Sequence, residues 1–414
     1  MSMSLILAGY GSGSGKDLTQ QIKEAIAGAD LVIGSKRLIE SVNRNFKDIR
    51  AGIIEETSPE KIYKVIEEKL RIRPEFNIIV LYSGDTGFYS GAESLSGLLG
   101  KEGYEFEVMP GVSSIAYFAS KTGRAYRDAL LLSAHGKKID IVREAMKGRD
   151  MFILTDKENS PDKLCKQLSD AGLGLSEVIV GEKLSYDEEK ITEGTACKAA
   201  EMTFEDPSVL FIGAVSVYKR LTPGIPDEEF VRGNVPMTKQ MVRACVMAEL
   251  DIGDKDICWD IGAGTGSVSV EMSLNALRVY SVERSPEAVE LIKKNREKFC
   301  AWNMKVIEND ASYCIDELET PDKVFIGGTG GKMADIITSV LKKNEKASVV
   351  ISAITLETLN EAVKSLRENN RESSVFEIQI SKTVNTGNYN MLRAENPVFV
   401  ISSVCRDEGG EELK

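Results

Sequence analysis

The sequence predicts an α/β protein built as two consecutive units, and three observations carry that expectation. Short apolar runs alternate with stretches of helical period. The alternation stops at Leu221-Thr-Pro-Gly-Ile-Pro-Asp-Glu-Glu229, where prolines, a glycine and an acidic run give linker chemistry, and then begins again. Each series also holds a strand that runs straight into a glycine-rich loop, at 9–15 and at 262–266. A chain of 414 residues is too long for one ordinary core, in keeping with domains at 1–220 and 230–414 joined by residues 221–229.

Before the linker, the apolar runs place strands at Leu5–Ala8, Leu31–Ile33, Ile78–Tyr82, Phe106–Met109, Leu130–Leu132, Phe152–Leu154, Val178–Val180 and Val209–Ile212. Helical patterns lie between them, with Ser58-Pro59 opening one as capping residue and first-turn proline. After the linker, strands are expected at Ile257–Ile261, Val279–Val282, Lys305–Ile307, Lys323–Ile326 and Ser348–Ile351. Helices there should begin near Thr238, Gly266, Pro286, Ser312, Lys332 and Leu356. Two β-rich stretches close the chain, Val375–Val384 and Pro397–Val404. Their short connection, with Asn-Tyr-Asn at its centre, suggests an antiparallel pair added to a parallel sheet.

Composition narrows the function classes. Hydrophobic residues at 42% and charged residues at 28% are those of a soluble globular chain. No apolar run approaches the roughly 20 residues of a membrane helix, and Leu5–Ala8 lacks the basic flank of a signal peptide. The seven cysteines include no CxxC pair, which favours reduced thiols in a cytoplasm over a disulfide framework or zinc site. With His135 as the sole histidine, metal sites built on several imidazoles are excluded, and none is expected. The net charge of −12 opposes a polyanionic partner, so neither nucleic acid nor membrane is expected as one.

The second glycine loop carries the most chemistry. In Asp260-Ile-Gly-Ala-Gly-Thr-Gly266, Gly262, Gly264 and Gly266 let the backbone turn sharply and approach a ligand, and the next helix offers its N-terminal amides. Ser267 stands where a dinucleotide fingerprint wants its last glycine, which weakens the NAD reading without removing it. Glu283 closes the next strand, where an acid can accept hydrogen bonds from ribose hydroxyls. Asp310-Ala311 follows the third, where an adenine amino group could be held. The strings VPMTKQMVR (235–243), DIGAGTGSVSVE (260–271), VERSPEAVELIKKN (282–295), NDA (309–311) and FIGGTGG (325–331) resemble the C15-methylating, decarboxylating half of the precorrin-6Y C5,15-methyltransferase family of cobalamin synthesis. That resemblance implies a Rossmann-like, seven-stranded class I methyltransferase fold that binds S-adenosylmethionine, with Thr238 among the cofactor residues. It also implies a homo-oligomer assembled through this domain.

The first glycine loop, Gly9-Tyr-Gly-Ser-Gly-Ser-Gly-Lys-Asp17, fits neither a phosphate loop nor GxGxxG, because Tyr10, Ser14, Lys16 and Asp17 stand at required positions. It has company: Ser83-Gly-Asp-Thr-Gly-Phe-Tyr89, Pro110-Gly-Val-Ser-Ser114 and Ser133-Ala-His-Gly-Lys137 each follow a strand, and such loops gather at one edge of an α/β sheet. With IGSKRLIE (33–40) these strings resemble the C5-methylating half of the same enzymes, in the class III tetrapyrrole methylase family. The resemblance implies a two-lobed fold and a second S-adenosylmethionine site at Gly9, Gly11, Gly84, Asp85, Ser113, Ser114 and His135. The chain departs from the family where serines replace the proline of GxGPG, GDT replaces GDP, and His-Gly-Lys replaces His-Gly-Arg.

A sulfonium methyl is already activated, so the protein's main task is alignment. The resemblance implies a precorrin substrate, metal-free or with cobalt, bearing acetates and propionates that cationic side chains should hold. Lys239 and Arg243, four apart on the helix expected from Thr238, are candidates to position it, as is His135 as donor or proton shuttle. Lys332, Lys16, Arg124 and Lys137 lie beside the motif loops and are further candidates. Two other readings remain open: an RNA methyltransferase, which would want a basic track that the sequence lacks, and a regulator that binds the cofactor without chemistry.

Overall fold

The computed structural model describes residues 5–404 except 16 and 48; Lys16 therefore lies outside the described residues. The chain divides into two compact units, one running to Ile141 and including Arg149–Val215, the other holding Val142–Gly148 and the chain from Ser216 onward. No helix among the described residues is long and apolar enough to cross a membrane.

The first unit contains two five-stranded sheets. One is parallel throughout, with strands β1 (Leu5–Gly9), β2 (Leu31–Gly34), β3 (Gly52–Glu55), β4 (Ile78–Tyr82) and β5 (Glu107–Met109) in the order β3-β2-β4-β1-β5. Helices cover both faces, and strand alternation divides the core accordingly. Ile6 and Ala8 pack with Ile22, Ile26, Leu38 and Val42 on one side, whereas Leu5 and Leu7 pack with Ile62, Ile66, Leu95 and Leu99 on the other. The second sheet is mixed, with β6 (Leu130–Ser133), β7 (Met151–Leu154), β8 (Glu177–Glu182), β9 (Lys190–Thr195) and β10 (Ser208–Ile212) in the order β6-β7-β10-β8-β9.

The second unit is one seven-stranded sheet: β11 (Ile257–Ile261), β12 (Arg278–Glu283), β13 (Met304–Glu308), β14 (Lys323–Ile326), β15 (Ser348–Ala353), β16 (Ser374–Ile378) and β19 (Val398–Ser403). Its order is β13-β12-β11-β14-β15-β19-β16, parallel up to β15 and antiparallel through β19 and β16. The strand order reverses between β11 and β14, and the crevice beyond their carboxyl ends is where such sheets bind ligands.

Two expectations need correction. The stretch Val375–Val384 is not one strand: pairing of β16 with β19 ends at Ile378–Val398, beside Pro397. Residues freed there form a separate two-stranded ribbon, β17 (Ser381–Thr386) with β18 (Tyr389–Ala394), turning through Gly387 at φ +62°. Nor is 221–229 slack linker throughout. Leu221 is exposed, but Ile225 and Asp227 are buried in the second unit, because the Glu271 carboxylate accepts from the Gly224 and Ile225 amides at 2.7 and 3.0 Å.

Candidate functional site

The carboxyl ends of β11, β12, β14 and β15 open into a cavity of about 1320 Å³. Thr238, Lys239, Gly262, Gly264, Glu283, Asp310 and Ala311 all line it, so one chamber gathers most of the residues singled out in this half of the sequence. Gly262 turns the chain at φ +70°, and a Cβ there would lie 2.3 Å from the Gly328 carbonyl oxygen. The loops after β11 and β14 can meet only because that position has no side chain. At Gly264, with φ +57°, a Cβ would come within 2.9 Å of the Pro236 carbonyl.

Gly266 behaves differently. It begins the helix Ser267–Ser273, and a Cβ there would meet Ile292 at 3.1 Å, so it serves packing against the helix Pro286–Lys298 and does not line the cavity.

Glu283 organises the loop edge. Its Oε2 accepts from the Gly264 amide at 2.9 Å, and its Oε1 accepts from the amides of Arg284 and Ser285 at 2.8 and 2.9 Å. A carboxylate has about four acceptor positions, so these amides leave one on Oε2 for a ligand. Asp310 caps the following helix through the Ser312 amide, and Lys332 approaches its Oδ2 at 3.2 Å. The hydrogen bond from the Ser312 hydroxyl, with Lys332 assisting, holds the Asp310 carboxyl below its usual range. Lys332 also donates to the Ser312 hydroxyl at 2.8 Å, so it is committed to the Asp310 cap and does not line the chamber.

Behind the loop, Asp260 is fully buried and accepts from the Ser269 hydroxyl at 2.5 Å, while its Oδ1 has no hydrogen-bond partner. Burial pushes its carboxyl up to about 7.

Arg243 overturns the role expected for it. The guanidinium is fully buried, with Nε 2.8 Å from Glu271 Oε1 and Nη1 2.9 Å from Asp227 Oδ1. It also donates to the carbonyls of Thr238 and Ile225 and lies over the Phe230 ring. Its carboxylates are the protein's own. The shared-face argument fails as well, because Lys239 is the extended N-cap (φ −73°, ψ 154°) of the helix Gln240–Leu250 and not part of it. Lys239 itself is exposed and lines the cavity.

In the first unit, the loops after β1, β4 and β5 converge with their backbones in close contact. A Cβ on Gly9 would lie 2.6 Å from both the Gly111 nitrogen and the Gly84 oxygen, and one on Gly111 would lie 2.3 Å from that oxygen. Gly11 and Gly84 form an antiparallel bridge. Asp85 ties the junction together, accepting from the Gly87 amide at 2.7 Å and the Gly111 amide at 3.1 Å. Ser113 caps the helix Ser114–Thr122 through the Ala116 amide, which leaves Ser114 as that helix's first residue. Arg37, from the IGSKRLIE string, donates to the Ser83 hydroxyl at 2.7 Å and so joins two motifs.

The remaining candidates of this unit lie outside the three loops that form that junction. His135 is exposed in the loop after β6, on the other sheet. Arg124 is ion-paired with Glu177, and Lys137 lies 5.8 Å over the Tyr89 ring.

The sequence gives no sign of what faces the first glycine loop. Ser12 and Ser14 hydrogen-bond to Ser185, and a Cβ on Gly13 would fall 2.1 Å from the buried Tyr186 hydroxyl, which has no hydrogen-bond partner. Ser185 adopts φ +71° and its amide donates to Glu189 at 2.6 Å. Partners more than 170 positions apart leave no local pattern.

Comparison with known proteins gives two family matches. Residues 4–200 match the tetrapyrrole (corrin/porphyrin) methylases, and residues 229–404 match the precorrin methyltransferase domain. A probable cobalt-precorrin-6B C(15)-methyltransferase (decarboxylating) of Sulfurisphaera tokodaii is 38% identical over 184 residues, 43% of this chain and 96% of that protein. A precorrin-6Y C(5,15)-methyltransferase [decarboxylating] of a Sinorhizobium species is 27% identical over 359 residues, 85% of this chain and 84% of that one. A crystal structure of a Geobacter metallireducens precorrin-6y C5,15-methyltransferase shares 38% identity, with a TM-score of 0.42 over 44% of this chain and 95% of that one.

Proposed function

Because this chain belongs to the fused, decarboxylating precorrin-6Y C5,15-methyltransferases, we propose that it adds methyl groups to carbons 5 and 15 of precorrin-6B or its cobalt complex and removes the carboxyl group of the ring C acetate as carbon dioxide. The observation that carries this reading is that one relative of that activity aligns along 85% of the chain, across both units.

Each unit would hold its own S-adenosylmethionine, which supplies an electrophilic methyl group. The cavity beyond β11 suits that cofactor chemically. Gly262 and Gly264 leave backbone exposed where side chains would obstruct, Glu283 keeps one acceptor position, and Asp310 stands at the next strand end. In the first unit the corresponding surface would be the Gly9–Gly84–Gly111 junction with Gly11, Asp85, Ser113 and Ser114. His135, exposed on the other sheet, is retained as a donor to a substrate carboxylate.

The macrocycle's meso carbons are enamine-like nucleophiles, so the protein's contribution is placement at the methyl carbon. For decarboxylation, the conjugated ring takes up the electron pair of the broken C–C bond. The cavity wall need only orient and partly desolvate the carboxylate. Lys239, exposed at the mouth, would anchor substrate acid groups. A homo-oligomer formed through the second unit belongs to the same proposal, with exposed Leu392 on the outer face of the β17–β18 ribbon as an apolar anchor.

The full chain, incubated with the macrocycle and methyl-labelled cofactor, should add two labelled methyls and release one carbon dioxide. Gly262→Asp should leave a product with one methyl and its acetate intact. A macrocycle of unchanged mass with the unmodified protein refutes the assignment.

A further inference from the structure

The ribbon β17–β18 carries no part of the seven-stranded sheet, yet it walls the cavity through Lys382, Val384 and Arg393. A two-stranded ribbon is marginal without something packed on its face. Register defines that face: Lys382 stands opposite Arg393, Val384 opposite Met391, and Thr386 opposite Tyr389. Paired residues two apart share one side, so both cations, Val384, Met391, the Thr386 hydroxyl and a phenol form a single strip. Val384, Met391 and Tyr389 are exposed there, Tyr389 by 77%.

Charge makes the strip more specific. Like charges directly opposite on a ribbon repel, so the Lys382–Arg393 pair is unfavourable without anions nearby. Of the cations that line the cavity, Arg284 lies 3.6 Å from Asp310 and Lys382 lies 3.1 Å from Glu395. Among the described residues, no carboxylate partner is recorded for Arg393 or Lys239. The cavity, at about 1320 Å³, also exceeds the roughly 300–1,000 Å³ of a typical small-ligand pocket. The residues suited to a nucleoside cofactor occupy only the end formed by β11, β12 and β13, so the ribbon side has room for a second, larger molecule.

We propose that the β17–β18 ribbon is the substrate-reading arm of the second unit, its apolar strip lying along a flat macrocycle and Arg393 pairing with a peripheral carboxylate. Lys239 on the facing side holds another. The inference rests on the functional reading above for the substrate class. Within that reading it makes Arg393 a positioning residue.

The test uses the full chain with two stable probes, the octacarboxylate uroporphyrin and the dicarboxylate deuteroporphyrin, followed by fluorescence quenching. Arg393→Ala should weaken uroporphyrin binding about tenfold, as expected for one charge-assisted hydrogen bond, and deuteroporphyrin binding less than about twofold. Arg393→Lys should recover part of the loss, and Tyr389→Ala should weaken both probes alike. Calorimetric affinity for S-adenosylhomocysteine and the urea midpoint should not move. Equal losses for both probes, an unchanged uroporphyrin affinity, or a loss confined to S-adenosylhomocysteine overturns the proposal. Turnover separates the two ideas. Double methylation with an unchanged KM in Arg393→Ala removes the arm and leaves the activity, whereas selective loss of uroporphyrin binding without any methylation leaves the arm and removes the activity.

Discussion

Replacing Arg243 with methionine tests whether that guanidinium belongs to the fold or to the substrate. The change keeps most of the volume and removes the charge between Glu271 and Asp227. Breaking a buried ion pair by deleting one partner typically costs about 3–5 kcal/mol. Here the lower part of that range applies, because Glu271 keeps the Gly224 and Ile225 amides and Asp227 keeps the Gln240 amide. A loss of about 3–4 kcal/mol, at a urea dependence of about 2 kcal/mol per molar, lowers the midpoint by roughly 1.5–2 M. The assay is favourable, since both tryptophans, Trp259 and Trp302, lie in the second unit and report its unfolding selectively. At low urea the KM for the macrocycle should stay within about twofold of the unmodified protein. A midpoint shift below about 0.3 M, joined to a raised KM, would refute the buried reading and return Arg243 to the substrate.

Three further outcomes are expected. Burial places the folded pKa of Asp260 at about 7, above its unfolded value, so the native state holds a proton that the unfolded state releases. Its contribution to stability is therefore greatest below about pH 4 and is lost as pH rises through 7, on the order of 4 kcal/mol in all. Asp260→Asn should flatten that slope in urea midpoints taken between pH 5 and 8, and parallel profiles would contradict it. Glu283→Ala strips three backbone amides of their acceptor and should weaken S-adenosylhomocysteine at least about tenfold in the second unit alone. Isotherms in which both sites persist unchanged would remove its role. Lys239→Ala should raise the macrocycle KM more than it alters cofactor affinity, and the opposite pattern would refute carboxylate anchoring.

The sheets were legible wherever burial forced an apolar run. Ile257–Ile261 and Lys323–Ile326 lie where their residues place them, since both strands sit inside the parallel sheet. Strands β3 and β9 were not legible: both are edges, Gly52–Glu55 mostly exposed and Lys190–Thr195 mixed, and edge strands carry polar residues. The same contrast holds at the site. Gly262 and Glu283 answer to a local motif, whereas the direction of Arg243 depends on Asp227 and Glu271, 16 and 28 positions away. Periodicity cannot report a partner at that distance, and a charge on a helix surface reads like a charge turned inward.

The junction of Gly9, Gly84 and Gly111 has a consequence for how the first unit can change over generations. When a side chain grows in a packed core, a neighbour can usually shrink in compensation. Here each residue is already the smallest available, and a Cβ on Gly9 or on Gly111 meets main-chain atoms of the other and of Gly84 that no substitution can trim. A first step at Gly9 or Gly111 has no rescuing second step. Selection for altered substrates, in nature or in a mutant library, must therefore proceed through the loop residues around this junction, such as Ser12, Ser14 and Ser185, where side chains remain to be exchanged.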